Sequence, residues 1–275
     1  MSDNTSEVPN QVVPFLKWAG GKRWLVKNFN NLFPKIEGRH IEPFAGSAAV
    51  FFALQPERAI LSDLNGKLIE TYVAIKERRF EFERHFRKIA SLHSKDFYYE
   101  TRSARFRSLE KRAAQFLYLN RVCFNGIYRE NLRSEFNVPI GSKTKAILET
   151  DDFRGISARL KNVELLHQDF EATIDGAVNG DFVYIDPPYT TKHNMNGFVK
   201  YNQNIFSWDD KVRLAASVKR AVSRGAVVMV SNADHADVRA LYSDFLSIHS
   251  VSRATVIASN SAHRGTTTEM VATNV

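Results

Sequence analysis

The chain has 275 residues, of which 44% are hydrophobic and 25% are charged. That composition is sufficient for one sizeable core and excludes a wholly disordered chain. The formal net charge is +8, a surplus that favours a polyanionic partner and nucleic acid above all. Cys123 is the only cysteine, so an internal disulfide and a thiolate zinc cluster are both excluded.

The compartment follows from what the sequence lacks. No apolar run is long enough to span a membrane, and the first ten residues lack the charged-then-apolar pattern of a signal peptide. A single thiol suits a reducing environment. We therefore expect a cytoplasmic protein with a flexible polar tail over residues 1–12.

Short strand-like runs along the chain each end in a polar or glycine-containing turn. These runs are His40–Ile41, Ala59–Leu61, Val163–Leu166, Phe182–Ile185 and Ala226–Val230. This pattern is typical of an open α/β sheet, in which ligands bind at the carboxyl ends of the strands.

Residues 69–152 depart from this rhythm. Phe82, Phe86 and Ile89 have helical spacing. Between Arg102 and Arg133 lie eight basic residues and two acidic ones, interleaved with aromatic residues that include Tyr128. A solvated helix face would explain part of this cluster, but a surface that contacts phosphates and bases explains it better.

Asp186-Pro187-Pro188-Tyr189 directly follows the apolar run Phe182–Ile185. An aromatic amine attacks a methylsulfonium only once its nitrogen lone pair is drawn out of the ring. A carboxylate and a backbone carbonyl can bring this about by accepting the two N–H hydrogens. Proline stiffens the turn, and tyrosine offers a stacking face. The alternative is a plain turn, because Asp-Pro and Pro-Pro are common turn dipeptides.

Two earlier segments have the composition of a nucleotide cradle. Residues 15–22 combine a Gly-Gly pair with Trp18 and Lys22, and residues 42–48 form a glycine-containing strand-to-helix turn. Asp63 ends the next strand, where a carboxylate commonly binds a ribose. A loop with a core tryptophan and a tight helix entry are the alternatives.

The segment 116–141 carries candidate base contacts. Arg129 could read guanine, Ile127 and Pro139 could contact a thymine methyl, and Phe124 could wedge into a base step. Asn125-Gly126 is a strong turn signal. Taken without context, this segment is more typical of a structural hairpin with a partly buried aromatic residue.

These segments, in this order, resemble the Dam family of DNA adenine-N6 methyltransferases over nearly the whole chain. The matching motifs are KWAGGK (17–22), EPFAG (42–46), SDLN (62–65), FLYLNRxxFNG (116–126) with Arg129, FNVPIG (136–141), DPPY (186–189), Ser231-Asn232, and Arg264 before Glu269-Met270-Val271. Two departures stand out: the family often has glycine where Ala48 stands, and Ser142-Lys143 replace an aromatic or basic pair.

The resemblance implies a role for each matching position. The S-adenosylmethionine pocket would be lined by Trp18, Lys22, Phe44, Ala45, Gly46, Asp63, Asp169, Phe170 and Asp186, with Asp169 on the cofactor's adenine amino group. The flipped target adenine would be held by Asp186, Pro187, Pro188 and Tyr189. Double-stranded DNA would be contacted by Lys17, Phe124, Asn125, Ile127, Arg129 and Pro139. Of these, Lys17, Ile127, Arg129 and Pro139 match positions that the family uses for GATC.

The resulting prediction is a Rossmann-like α/β methyltransferase sheet (13–68 and 153–275) with a mainly helical target-recognition insertion (69–152) that carries a β-hairpin. The methyl group would pass directly from S-adenosylmethionine to the adenine amine, without a metal. We expect a monomer or weak dimer, with a cognate restriction or defence system as a candidate partner. The alternatives are N4-cytosine methylation, methylation of a protein glutamine or of ribosomal RNA, and a DNA-binding protein with an inactive cofactor site.

Overall fold

The structure is a computed structural model that describes residues 12–18, 20–131, 133, 135–189, 206–254 and 266–275. Arg264, one of the motif residues, and nearly all of the predicted tail lie outside these ranges. Val12, the last residue assigned to that tail, is buried.

The described residues form ten α-helices and seven strands. The helices are α1 (Arg23–Asn28), α2 (Ala49–Leu54), α3 (Gly66–Glu77), α4 (Arg79–Ser91), α5 (Lys95–Ser103), α6 (Leu109–Val122), α7 (Phe153–Arg159), α8 (Phe170–Asp175), α9 (Trp208–Ser223) and α10 (Ala236–Ala240). The strands are β1 (His40–Glu42), β2 (Ala59–Asp63), β3 (Val163–His167), β4 (Phe182–Ile185), β5 (Val227–Ala233), β6 (Ser247–Ala254) and β7 (Thr266–Thr273).

The strands form one sheet in the order β3-β2-β1-β4-β5-β7-β6. Strand β1 pairs in parallel with β2 and β4, and β4 pairs in parallel with β5. The last two strands are antiparallel, with β7 between β5 and β6. This arrangement confirms the predicted α/β class. It also adds β6 and β7, which the sequence patterns had not identified as strands.

The central strands β4 and β1 are buried; β4 is largely apolar, whereas β1 buries His40 and Glu42, which pair at 2.8 Å. All of β4 is buried, as is all of β1, whereas the edge strand β3 is exposed at several positions. Parallel strands of this kind are normally buried on both faces and read as continuous apolar runs. For this reason β4 could be located from the sequence alone.

The chain folds into two compact units. The first comprises Met1–Asn30, Ala45–Glu57 and Asn65–His167, and the second comprises Asn31–Phe44, Arg58–Leu64 and Gln168–Val275. The domain limits expected from the sequence remain a prediction.

The predicted insertion is mainly helical, with α3 and α4 both packing on α6. Its hairpin is short: Cys123 is bridged to Ile140, and Glu130 to Phe136. Asn125 and Gly126 both have positive φ, as their turn signal predicted. The chain reversal of the hairpin nevertheless lies between Asn131 and Glu135, where the Asn131 amide donates to the Glu135 carbonyl.

A buried guanidinium is central to the first unit. The side chain of Arg121, at the end of α6, is only 1% exposed and forms two 2.6 Å hydrogen bonds to the Asp151 carboxylate. It also donates to the carbonyls of Phe15 and Ala146. All five N–H donors of the guanidinium are therefore used. Arg121 was counted in the basic surface cluster, and that assignment was wrong because the residue is part of the core.

We expect Arg121→Met to lower the free energy of unfolding by about 3–5 kcal/mol, because it leaves the buried Asp151 carboxylate without its cation. Arg112, also on α6, forms a similar two-bond pair with Glu70, but both side chains are more than a third exposed. The control Arg112→Met should therefore cost about 0–1 kcal/mol. Urea unfolding followed by circular dichroism measures both values, and equal losses would contradict the central role of Arg121.

Candidate functional site

The segment that carries Lys17 is held to the end of α6 by one asparagine. The Asn120 amide oxygen accepts a 2.9 Å hydrogen bond from the Lys17 backbone N–H, and its Nδ2 donates to the Lys17 carbonyl at 2.7 Å. The Lys17 ammonium donates to the Arg121 carbonyl at 3.0 Å, where the carboxyl end of a helix favours a cation. Burial, with the nearby positive charge of Lys143, lowers the pKa of Lys17.

Trp18 lies against the glycine turn of the same unit. A Cβ built on Gly46, whose φ is +48°, would lie 2.7 Å from the indole. The Tyr128 ring also stacks on the indole, at 5.8 Å between centroids. The Tyr72 hydroxyl donates to the Gly46 carbonyl. The indole of Trp18 therefore occupies the space that a side chain at position 46 would need.

Two further residues complete the two motifs in the first unit. Lys22 is only 3% exposed, and its ammonium donates to the Gly20 carbonyl at 3.0 Å. Ala48 is fully buried with φ +49°, a left-handed conformation that costs an L-residue about 1–2 kcal/mol. That conformation gives a physical reason for the glycine that the Dam family often has at this position.

The second unit places the predicted carboxylates at one edge of the sheet. Asp63 ends β2 and Asp186 follows β4, and both strands pair in parallel with β1. Two steps across a sheet correspond to about 10 Å. Both side chains are partly exposed, so the carboxyl ends of these strands offer two accessible carboxylates.

Tyr189 is held by hydrogen bonds of its phenol group. The hydroxyl lies 3.0 Å from Ser231 Oγ on β5 and donates at 3.0 Å to Glu269 Oε2 on β7. Burial raises the pKa of Tyr189, and the charges of Asp186 and Glu269 raise it further. The phenol is therefore neutral at ordinary pH, and the ring is fixed from its hydroxyl end.

Asp169 and Phe170 begin α8 and lie within one cluster. Asp169 caps the helix by accepting from the Glu171 N–H and also pairs with Arg213 of α9. The Phe170 ring is buried and stacks on Phe44 at 5.3 Å. Since Phe44 is only half-buried, it is the more accessible of the two rings.

The predicted DNA contacts lie on the hairpin and the turn before it. Phe124 is 53% exposed, and its N–H donates to the Pro139 carbonyl at 2.9 Å. Arg129 is exposed, and its Nε donates to Asn137 Oδ1 at 2.9 Å. Asn125 and Pro139 are also exposed, whereas Ile127 is half-buried. The side chain of Lys17 packs against this turn: a Cβ built on Gly126 would lie only 2.7 Å from it.

The basic cluster proves more varied than its composition indicated. Arg102, Arg105, Arg112 and Arg133 line a cavity of about 250 Å³. Arg105 pairs there with Glu135, as Arg112 pairs with Glu70. Tyr128, which the sequence placed on the base-contacting surface, is instead partly buried beneath Trp18 and Phe116.

Cys123 is buried, and burial raises the pKa of its thiol to about 11. The thiol therefore remains protonated at neutral pH and is a poor nucleophile. Within the described ranges, no group of three or more His, Cys, Asp or Glu side chains could hold a metal ion. The same residues include no helix long and apolar enough to cross a membrane.

Sequence reasoning missed four residues that hold the site together: Asn120, Arg213, Ser231 and Glu269. Asn120 belongs to the LYLNR motif, and Ser231 and Glu269 stand in motifs that were recognised without a role. Their position was therefore available as a signal, although their partners were not. Arg213 lies in an ordinary amphipathic helix and carries no motif.

We expect Tyr189→Phe to lower the free energy of unfolding by about 1–2 kcal/mol, because the buried Glu269 carboxylate loses a hydrogen-bond donor. Glu269→Gln keeps an acceptor oxygen and should cost less. Denaturant unfolding of both single variants and of the double variant gives the coupling between the two positions. Strictly additive losses would show that the negative charge of Glu269 adds nothing to the hydrogen bond.

Comparison of the sequence with known proteins places the chain in a family. Residues 18–257 match the family described as D12 class N6 adenine-specific DNA methyltransferase. The chain is similar to the type II methyltransferase M1.LlaDCHI of Lactococcus lactis subsp. cremoris, with 36% identity over 95% of each chain. It is also similar to the type II methyltransferase M.MjaIII of Methanocaldococcus jannaschii, with 36% identity over 82% of this chain and 86% of the relative.

A third relative carries the name of the family that the sequence motifs suggested. The DNA adenine methylase of Escherichia coli K12 is 32% identical over 94% of each chain. The family match spans the Trp18 motif, the hairpin and the Asp186–Tyr189 segment alike. The chain therefore belongs to the D12 class of N6 adenine-specific DNA methyltransferases and resembles its Dam members.

Proposed function

We propose that this DNA adenine methyltransferase takes its methyl group from S-adenosylmethionine and transfers it directly to the N6 amine of an adenine flipped out of duplex DNA. The observation that carries the proposal is the Asp186–Tyr189 segment. It lies at the carboxyl end of a buried parallel strand, with Tyr189 fixed by Ser231 and Glu269. Ligands of open α/β sheets bind at such strand ends.

The residues at the predicted cofactor positions suit an adenosyl sulfonium. In the second unit, Asp63 is a partly exposed carboxylate for ribose hydroxyls, Asp169 is a hydrogen-bond acceptor, and Phe44 is an accessible ring. The first unit offers the half-buried Trp18 indole and the buried Lys22 ammonium, beside the backbone of Ala45 and Gly46. An ammonium matches the carboxylate of the methionine moiety.

The chemistry of the chain is concentrated on Asp186. When bound, S-adenosylmethionine would supply an electrophilic methyl group and leave as S-adenosylhomocysteine, while the methylated amine gives up one proton. Asp186 accepts one hydrogen of the adenine amine, and the Pro187 carbonyl accepts the other. Together they draw the nitrogen lone pair out of the ring and stabilise the positive charge that develops. Pro187 and Pro188 stiffen the turn that holds both acceptors, and the Tyr189 ring provides a stacking face for the base.

DNA is the substrate, and the hairpin provides the surface for it. Flipping an adenine costs a few kcal/mol of stacking and pairing, and the exposed Phe124 ring can offset part of that cost by filling the gap. The Asn125 amide lies beside it on the same exposed turn. Lys17, Ile127, Arg129 and Pro139 match positions that Dam-like enzymes use for GATC, so we propose GATC as the recognition sequence.

Several alternatives can now be weighed. Membership of the adenine-specific class sets aside N4-cytosine methylation and methylation of ribosomal RNA or protein glutamine. A DNA-binding protein with an inactive cofactor site remains as the second candidate, and failure to bind S-adenosylmethionine in calorimetry would favour it. Two relatives are named type II methyltransferases, which supports a restriction system as the partner of this chain.

We expect Asp186→Ala to reduce formation of N6-methyladenine by about a hundred-fold or more, since the developing positive charge loses its acceptor. Transfer of a radiolabelled methyl group to duplex DNA measures the rate, and mass spectrometry of the nucleosides identifies the product. Asp244→Ala, at an exposed position outside the site, is the matched control. Near-normal activity of a folded Asp186→Ala protein would refute the mechanism.

If Arg129 reads a guanine, Arg129→Ala should lose about 1–3 kcal/mol of specific binding and relax the choice at one base pair. Methylated genomic DNA mapped by single-molecule sequencing shows both the site and any relaxation. Arg133→Ala, on the same hairpin, is the control for a phosphate contact and should weaken binding to all sequences alike. The same uniform effect at Arg129 would make it a phosphate contact.

A further inference from the structure

Arg213 lies on α9, opposite the beginning of α8. Its guanidinium forms a two-bond pair with Asp169, with Nη1–Oδ1 at 2.6 Å and Nη2–Oδ2 at 3.0 Å. It also pairs with Glu171 at 3.1 Å and with Asp210 at 3.0 Å. The guanidinium carbon lies 4.2 Å from the centre of the Phe170 ring. One planar cation thus joins three carboxylates and an aromatic ring.

We propose that Arg213 is a positioning residue for the cofactor, which fixes the Asp169 carboxylate so that one acceptor site on Oδ2 faces the adenine amino group. The inference rests on the proposed function, in which Asp169 binds that amino group. It assigns Arg213 a role in selecting the base of the cofactor, since Arg213 acts through Asp169 and does not itself touch the ligand.

The hydrogen bonds of Asp169 support a single open acceptor site. Oδ1 accepts from the Glu171 N–H at 2.9 Å and from Arg213, whereas Oδ2 accepts from Arg213. A carboxylate has about four acceptor positions in total, and the contacts among described residues use three. The fourth, on Oδ2, can receive one N–H from an exocyclic amine. A carbonyl at the same place would instead meet an oxygen and be repelled.

Arg213 also determines how the neighbouring rings are presented. Its guanidinium covers the Phe170 ring, which is buried and packs against both Phe44 and Phe206. Phe44 keeps part of its surface exposed. The accessible ring beside Asp169 is therefore that of Phe44, and Phe170 supports it from behind. Lysine could not replace Arg213, because only a planar guanidinium both stacks on a ring and pairs with a carboxylate by two bonds.

The electrostatic setting agrees with this role. Hydrogen bonding to the Arg213 guanidinium lowers the pKa of Asp169, and pairing with Asp169 raises that of Arg213. Without Arg213, the carboxylates of Asp169, Glu171 and Asp210 would repel one another. Removal of Arg213 would therefore change both the orientation of the Asp169 carboxylate and the charges around it.

The test compares S-adenosylhomocysteine with S-inosylhomocysteine, which carries a carbonyl in place of the amino group and a proton on the adjacent ring nitrogen. Isothermal titration calorimetry on the full chain measures the affinity for each. The wild type should prefer the adenosyl compound, and Arg213→Met should reduce that preference by about ten-fold, the equivalent of one hydrogen bond to a charged group. The ligand preference of Arg213→Lys should lie between those of the wild type and Arg213→Met. Adding Asp169→Asn to Arg213→Met should reduce the preference no further.

Arg220 provides the matched control. It lies two turns later on α9 and pairs with Glu171 and Asp175, with no bond to Asp169 among the described contacts, so Arg220→Met should leave the ligand preference unchanged. If Arg213→Met lowers the affinity for both ligands equally, Arg213 has only a structural role and the inference is wrong. Arg213→Lys serves for the same comparison if Arg213→Met fails to fold.

The outcomes for Asp169 separate this inference from the proposal on which it rests. If Asp169→Asn keeps the full preference for the adenosyl compound, the role proposed for Asp169 is wrong, and the role of Arg213 fails with it. If the wild-type chain binds neither ligand, the proposed cofactor itself is wrong. If Asp169→Asn loses the preference and Arg213→Met keeps it, only the positioning role of Arg213 is refuted.

Discussion

The carboxyl end of α6 supports the first unit through two adjacent side chains. Arg121 turns inward and uses all five of its donors on Asp151 and two backbone carbonyls. Asn120 grips the backbone of Lys17 on both sides, and the next residue along the chain is Trp18. Since the hairpin begins directly after this helix, one helix end determines the positions of the proposed cofactor motif and of the first turn proposed to contact DNA.

In the second unit, the Asp186–Tyr189 segment is positioned by strands of the sheet. The chemistry proposed for it requires a carboxylate and a carbonyl held rigidly beside an aromatic ring, and a buried parallel strand supplies that rigidity at its carboxyl end. Tyr189 could still rotate about its side-chain bonds, but its hydroxyl is tied to Ser231 on β5 and Glu269 on β7. The antiparallel strand β7 thus contributes to the site although it carries none of the predicted contacts.

Much of the fold and of the motif content could be predicted from the sequence. Strand β4 was found because burial on both faces makes it a continuous apolar run, and the other parallel strands were found because each short run ends in a polar or glycine-containing turn. Strands β6 and β7 were missed because their residues mix polar and apolar types, and a local pattern does not reveal a partner far along the chain. Arg121 was misassigned for a related reason: a charge count cannot distinguish a surface cation from one paired in the core.

The sequence by itself determined the family and the order of the motifs. It also identified the residues proposed to carry the chemistry, because covalent adjacency alone keeps Asp186, Pro187 and Tyr189 together. Only the tertiary structure decided which side chains hold them. The side-chain partners of Asp169 and Tyr189 lie more than 40 residues away along the chain, and nothing local specifies them. Hydrogen bonds and ion pairs form wherever folding brings donor and acceptor together, so the residues that position the site become visible only when the chain is folded.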